Sequence, residues 1–151
     1  MALAKEYYEK LDYNVKTYGL QVQHVFGNET DPPFSYSIGL FETYSHPEIL
    51  IIGLGQQLCQ VLINNMADDI KNGIHYHPFH FYSNILDDFD CYITSVNKSD
   101  YGNYVFQAEQ YYGNSEFPVL QCVYPTINGI FPWEDSWIDK NSQPILSELN
   151  L

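Results

Sequence analysis

The sequence predicts a single α+β domain over residues 1–151, built as a mostly antiparallel sheet of about five strands with two main helices packed on it. Three stretches carry that prediction. From Phe34 to Leu40 the residues alternate, with Phe34, Tyr36, Ile38 and Leu40 on one side and Ser35, Ser37 and Gly39 on the other, the period of a strand with one apolar face and one face of small groups. Ile49 to Leu54 is an unbroken apolar run of strand length, as expected for a strand covered on both faces. After Leu54 the period changes: Leu58, Leu62, Met66 and Ile70 recur every four residues, with Cys59 and Ile63 beside them, which is a helical stripe.

The remaining elements follow in chain order. Leu3, Tyr7, Tyr8 and Leu11 fall at helical spacing and predict a short amphipathic helix from Ala2 to Leu11. Leu20 to Phe26 alternates and reads as a strand, and Gly27 to Pro33 is turn chemistry throughout. Phe41 to Pro47, which carries Glu42, Tyr44 and His46, is too long for a tight hairpin and reads as a loop. The helix after it spans Gln56 to Asn72, with Lys71 in its last turn and Gly73 beyond as the stop signal. Ile74 to Asp90 is the least regular stretch, interrupted by Pro78, and Cys91 to Val96 is a short strand. Ser99 or Asp100 can cap a helix whose face is Tyr101, Tyr104, Val105, Ala108, Tyr111 and Tyr112, closed by Gly113, with a strand as the alternative that its β-favouring aromatics leave open. Val119 to Tyr124 is a strand stopped by Pro125, and Asn128-Gly129 marks a tight turn. The tail after it holds both tryptophans and is expected to wrap back over the body.

Charge is the sharpest compositional feature. Nineteen acidic residues face six lysines and no arginine, for a formal net charge of −13. A protein that neutralises phosphates needs clustered cations, because counterion release supplies most of that affinity. Arginine's bidentate fork for phosphate and carboxylate is also missing. Nucleic acid and anionic membrane are therefore poor partners, and a basic protein is a good one. No apolar run reaches the ~20 residues of a membrane span, and the first residues lack the layout of a signal peptide, so the expected location is the cytoplasm. Cys59, Cys91 and Cys122 are widely spaced within apolar patterns and read as buried, reduced thiols.

Four segments together resemble the uncharacterised, mostly bacterial family known as domain of unknown function 4262: PPFSYSIGL, HPEILIIGL, YYGNSEFPVLQCVYP, and the NGIFPWE turn followed by Gln143-Pro144. The resemblance runs from about Leu20 to Leu146. It implies no activity, no cofactor and no catalytic residues.

Candidate sites follow from polar residues in unexpected places. Tyr36, His46, Glu48, Gln121, Trp133 and Glu134 lie within or beside apolar strands, where a buried polar group must find a partner; they are the candidate lining of a binding cleft. Were that cleft catalytic, His46 or Glu134 would serve as general acid or base. His75, His77 and His80 lie close enough in sequence to suggest a metal, but the Pro78 among them and the missing cysteine pair favour ordinary surface histidines, so no metal or cofactor is expected. Asp87, Asp88 and Asp90 lack the glycine and closing glutamate of a calcium loop and read as a charged turn. The run IIGLGQQL has two glycines between a strand and a helix, but its third glycine position holds Leu58, so a flexible strand-to-helix turn explains it better than a dinucleotide loop. The function these features predict is a non-enzymatic, immunity-type protein that neutralises a basic toxin through an acidic, tyrosine-rich surface including Asp87, Asp88, Asp90, Asp135 and Asp139. The alternative is a small enzyme or ligand-binding domain using the cleft.

Overall fold

The alternating stretch and the apolar run do pair, as antiparallel strands at the middle of one sheet. The computed structural model describes residues 2–139 and 141–148, with side chains from residue 4 onward. In chain order its elements are α1 (Ala2–Tyr18), β1 (Gln21–Val25), β2 (Phe34–Ile38), α2 (Leu40–Tyr44), β3 (Glu48–Ile52), α3 (Gln56–Lys71), β4 (His80–Leu86), β5 (Phe89–Ser95), α4 (Tyr101–Tyr104), α5 (Phe106–Tyr112) and β6 (Val119–Val123). The strands form a six-stranded sheet in the order β1-β2-β3-β6-β5-β4. Neighbours are antiparallel except β3 and β6, which run parallel with Leu50 opposite Gln121.

Both faces of the sheet are covered. On one, Cys59, Leu62, Ile63, Met66 and Ile70 of α3 pack on Ile49, Ile51, Cys91, Ile93, Leu120 and Cys122. On the other, Leu11 and Val15 of α1, with Tyr101, Val105 and Ala108 of α4 and α5, pack on Tyr36, Ile38, Leu50, Ile52 and Val119. Each such aliphatic side chain contributes about 1.5–3 kcal/mol on burial. The small side of β2 lies under α3, where Ser35 Oγ bonds His24 Nδ1 at 2.6 Å and the other His24 nitrogen reaches Gln60 of α3 at 2.9 Å. The far half of that second face, over β6, β5 and β4, is covered by the irregular C-terminal segment, as the tryptophan-bearing tail leads one to expect.

Four expectations are corrected. The first helix continues past Leu11 to Tyr18, because Val15 repeats the four-residue spacing and is buried; Gly19, at φ +92°, then ends it (the Leu3 side chain lies outside the described residues). The loop from Phe41 to Pro47 is largely the short helix α2. The irregular stretch from Ile74 to Asp90 contains the strand β4, which raises the expected five strands to six. The helix expected from Ser99 to Gly113 is broken at Val105, whose φ of −122° separates α4 from α5. The cysteines are free and buried, and among the described residues no helix is long and apolar enough to cross a membrane.

Candidate functional site

Glu48 is a heavily bonded side chain in the core. It opens β3, is fully buried, and accepts from five donors: Ser37 Oγ (2.7 Å), Tyr112 Oη (2.6 Å), and the backbone N–H groups of Gly39, Leu40 and Phe41 (3.1, 3.1 and 3.0 Å). Those three amides begin α2, so a carboxylate that follows the helix in sequence caps its amino end in place of a local cap. Burial pushes the Glu48 carboxyl above its usual range, and the hydrogen bonds from Tyr112, Phe41, Ser37 and Gly39 draw it part of the way back. Gly39 sits at φ +114°, where an added Cβ would stand 2.8 Å from Val15 of α1, so only glycine brings this amide to the carboxylate. Tyr112 is itself raised, first by burial and then by the Glu48 charge.

His46 lies two residues away and is buried. Its Nδ1–H donates to the Pro47 carbonyl at 2.7 Å, and its Nε2 accepts from the Tyr76 amide at 3.0 Å. Both nitrogens are thereby used by the backbone, and that pairing requires the neutral ring. Burial lowers its pKa to about 4, with His75 and His77 adding a smaller push in the same direction. Such a histidine holds a loop against β3 rather than moving protons.

The other predicted cleft residues belong to separate bonding groups. Tyr36 is buried under α5, where its hydroxyl donates to Gln107 Oε1 at 2.5 Å and accepts the Gln107 amide at 3.2 Å. Gln121, at the centre of the sheet, gives its amide N–H to the Pro144 carbonyl (2.7 Å) and takes the Leu146 N–H (3.0 Å). Gln143 does the same for Tyr124, with bonds of 3.0 and 2.9 Å to its N–H and C=O. These two glutamines clamp the tail to the last strand. Trp133 stacks on Phe131 (centroids 4.7 Å apart, planes 6° apart) and meets Tyr92 and Phe81 edge-on, while Glu134 Oε2 accepts the Phe131 amide within the same turn. The six residues are thus distributed along the fold in separate groups: Tyr36, His46, Glu48, Gln121 and Glu134 each have hydrogen-bond partners of their own, and Trp133 packs among aromatic rings.

Residues 14–137, which run from within α1 through all six strands, match the family model for a domain of unknown function, DUF4262. The chain belongs to the DUF4262 family. The match begins inside α1 and stops at Trp137, so the family region starts earlier than Leu20 and leaves Gln143-Pro144 beyond its end. No curated protein and no solved structure matches the chain.

The surface of this DUF4262 protein shows where its charge goes. Asp87 and Asp88 form the turn between β4 and β5, Asp90 is the second residue of β5, and all three are exposed, with no ion-pair partner among the described residues. Asp135 and Asp139 are exposed on the tail. By contrast Lys5, Lys16 and Lys98 are each beside a carboxylate. The histidines His46, His75, His77 and His80 form a row, with successive ring centroids 4.5, 4.4 and 6.1 Å apart. Among the described residues no three His, Cys, Asp or Glu side chains converge to hold a metal. A groove of about 1140 Å³ runs along the Gly27–Pro33 loop, Gly53, Gly55 and the tail at Asp139, Asn141 and Ser142. The Gly53 of the two-glycine turn faces the tail there: an added Cβ would meet the Ser142 carbonyl at 2.4 Å. That turn serves chain packing, and the described groove lining carries Glu29, Asp31 and Asp139 with no lysine.

What sequence reasoning missed is the partner side of each bond. Tyr112 and Tyr76 carry no signal beyond their place in apolar patterns. Gln143 had one, because it stands with Pro144 in the segments that carry the family resemblance in the sequence, but nothing local ties it to Tyr124.

Proposed function

We propose that this protein is a cytoplasmic, non-enzymatic, immunity-type binder that neutralises a basic toxin or effector. The observation that carries the reading is the set of unpaired carboxylates on the β4–β5 hairpin, Asp87, Asp88 and Asp90, on a body of net charge −13 without arginine. Toxins that act on nucleic acid present cationic clefts, and an acidic partner is steered into such a cleft by the field between them, with association rates that fall steeply as salt rises. Aspartates standing in for phosphates then occupy the cleft, and exposed aromatic rings beside them supply contact area. The neutral, backbone-bonded His46 and the locally satisfied Glu48 and Gln121 support binding over acid–base catalysis. The test is association with any basic protein found encoded beside this gene, measured by calorimetry at about 50 and 500 mM salt, together with rescue of cells expressing that protein. The expected result is a complex that weakens at least tenfold at high salt and abolishes toxicity. Absence of any complex with that protein at low salt overturns the reading.

A further inference from the structure

We infer that the rim strand β4 is where the partner docks, by accepting an extended, lysine- or arginine-bearing segment as a seventh strand; this rests on the basic-partner reading above. β4 is one of the two ends of the sheet order, so one side of its backbone has no neighbouring strand. Rim strands are usually shielded by lysines, prolines, shortness or an overlying element, because their unpaired N–H and C=O groups otherwise template new pairing. His80–Leu86 is seven residues long and contains no charged residue, proline or glycine. Its one shielding device is a shift of register between Tyr82 and Leu86. Most of its residues are exposed, and Phe81 is 49 % and the preceding Phe79 39 % accessible.

The opposite rim behaves differently. β1 has five residues, and its polar side chains are tied down. Gln21 takes Asn14 of α1, Gln23 takes Tyr7 of α1, and His24 bonds Ser35 and Gln60. Polar side chains of β4 are bonded too, Asn84 to Asp69 and Tyr76 and Tyr82 to the His77 amide, so what sets β4 apart is length and exposure: four of its seven residues are exposed and none of β1's five.

Charge selects the occupant. Residues 72–97, which contain β4 and β5, hold Asp87, Asp88 and Asp90 and no lysine or arginine. A strand laid along β4 would run from the Phe79/Phe81 rings to these carboxylates, so its backbone bonds would provide affinity and its side chains would read aromatic and acidic surfaces in turn. A second copy of this chain is disfavoured, because two bodies each of net charge −13 repel one another.

The experiment uses the full chain and two synthetic seven-residue peptides of alternating lysine and valine, blocked at both ends. One has a normal backbone; the other carries the same charge with every backbone amide N-methylated, so that neither edge can donate. Fluorescence anisotropy gives their affinities in about 20 mM salt, and hydrogen exchange locates protection. The expected result is binding of the normal peptide, at least tenfold loss for the methylated one, and slowed exchange in residues 80–86 but not in 21–25. Ser83→Pro, at an exposed position in the middle of β4, breaks the regular course of the strand and is expected to lose at least tenfold; where it fails to fold, the methylated peptide on the natural chain decides. Asp87→Asn/Asp88→Asn/Asp90→Asn is expected to weaken binding and flatten its salt dependence. Equal affinity for both peptides, or protection outside 80–86, overturns the rim proposal while leaving the acidic-surface reading standing. No binding of either peptide overturns both. Salt-promoted dimers whose protection maps to 80–86 assign the rim to a second copy and overturn the proposal as well.

Discussion

The two halves of the sheet are held in different ways. In the β1–β2–β3 half, polar groups inside the strands are satisfied by regular elements: Glu48 bonds Ser37, the first turn of α2 and Tyr112 of α5, and Tyr36 bonds Gln107 of α5. In the β6–β5–β4 half they are satisfied by irregular chain: Gln121 by Pro144 and Leu146, Tyr124 by Gln143, and Thr94 by Ser147 at 2.7 Å. The first half is an α/β layer pair locked from within. The second is a hairpin and a strand strapped from outside, and its rim is left open. Stability is accordingly expected to concentrate in the first half and partner contact in the second, the usual division between rigid scaffold and binding surface.

The comparison is broken most severely at Glu48. Glu48→Ala leaves three backbone amides and two hydroxyls facing a cavity, and is expected to cost about 3–5 kcal/mol, the range seen when one member of a buried charged network is removed. Urea unfolding measures it; a loss under about 1 kcal/mol would show that water replaces the carboxylate. Gln121→Leu comes next, at about 1–3 kcal/mol for a buried N–H and C=O left without partners. Here the informative readout is local: limited proteolysis is expected to cut within residues 141–148 while the β1–β2–β3 half stays protected. Uniform loss of protection would mean that the two halves unfold together.

The smallest effect is a difference in pH dependence. A histidine held at about 4 against an ordinary value of about 6.5 takes up its proton in the unfolded chain before the folded one. Its neutral form therefore stabilises the fold above pH ~6.5, and that contribution falls away as pH drops toward 4. Glu48 works with the opposite sign: its raised carboxyl binds a proton more readily in the folded chain, so acid favours the fold through the region just above the ordinary carboxylate range. Glu48 is common to the natural protein and His46→Phe, so their difference isolates the histidine. The gap between their unfolding midpoints is expected to narrow steadily from pH 6.5 to 4. A constant gap would show that the ring is not kept neutral.

Much of this was legible in the residues. The alternating β2, the apolar β3 and the period-four α3 follow from their patterns, and the polar Glu48 and Gln121 stood out within greasy strands. β4 did not, because a rim strand with both sides near solvent has no clean alternation: HFYSNIL mixes aromatic and polar residues, and Pro78 just before it suggests a loop. α2 was hidden for another reason. Its cap is supplied by a residue beyond its own C-terminus, so Leu40–Tyr44 carries no starting signal of its own. In the candidate site, sequence marked the residues that need partners, but the partners (Tyr112, Tyr76, Gln143) are brought in by the topology.

The parallel contact of β3 with β6 has a consequence for how the chain is made. Glu48 and Val119 are neighbours across the sheet yet are separated by nearly half of the chain, and joining distant segments is slow because closure entropy is lost before any contact repays it. During synthesis β3 and β5 must each wait with a bare flank until the last strand emerges and slides between them. A chain truncated before residue 119 would keep both flanks and stick to others like it.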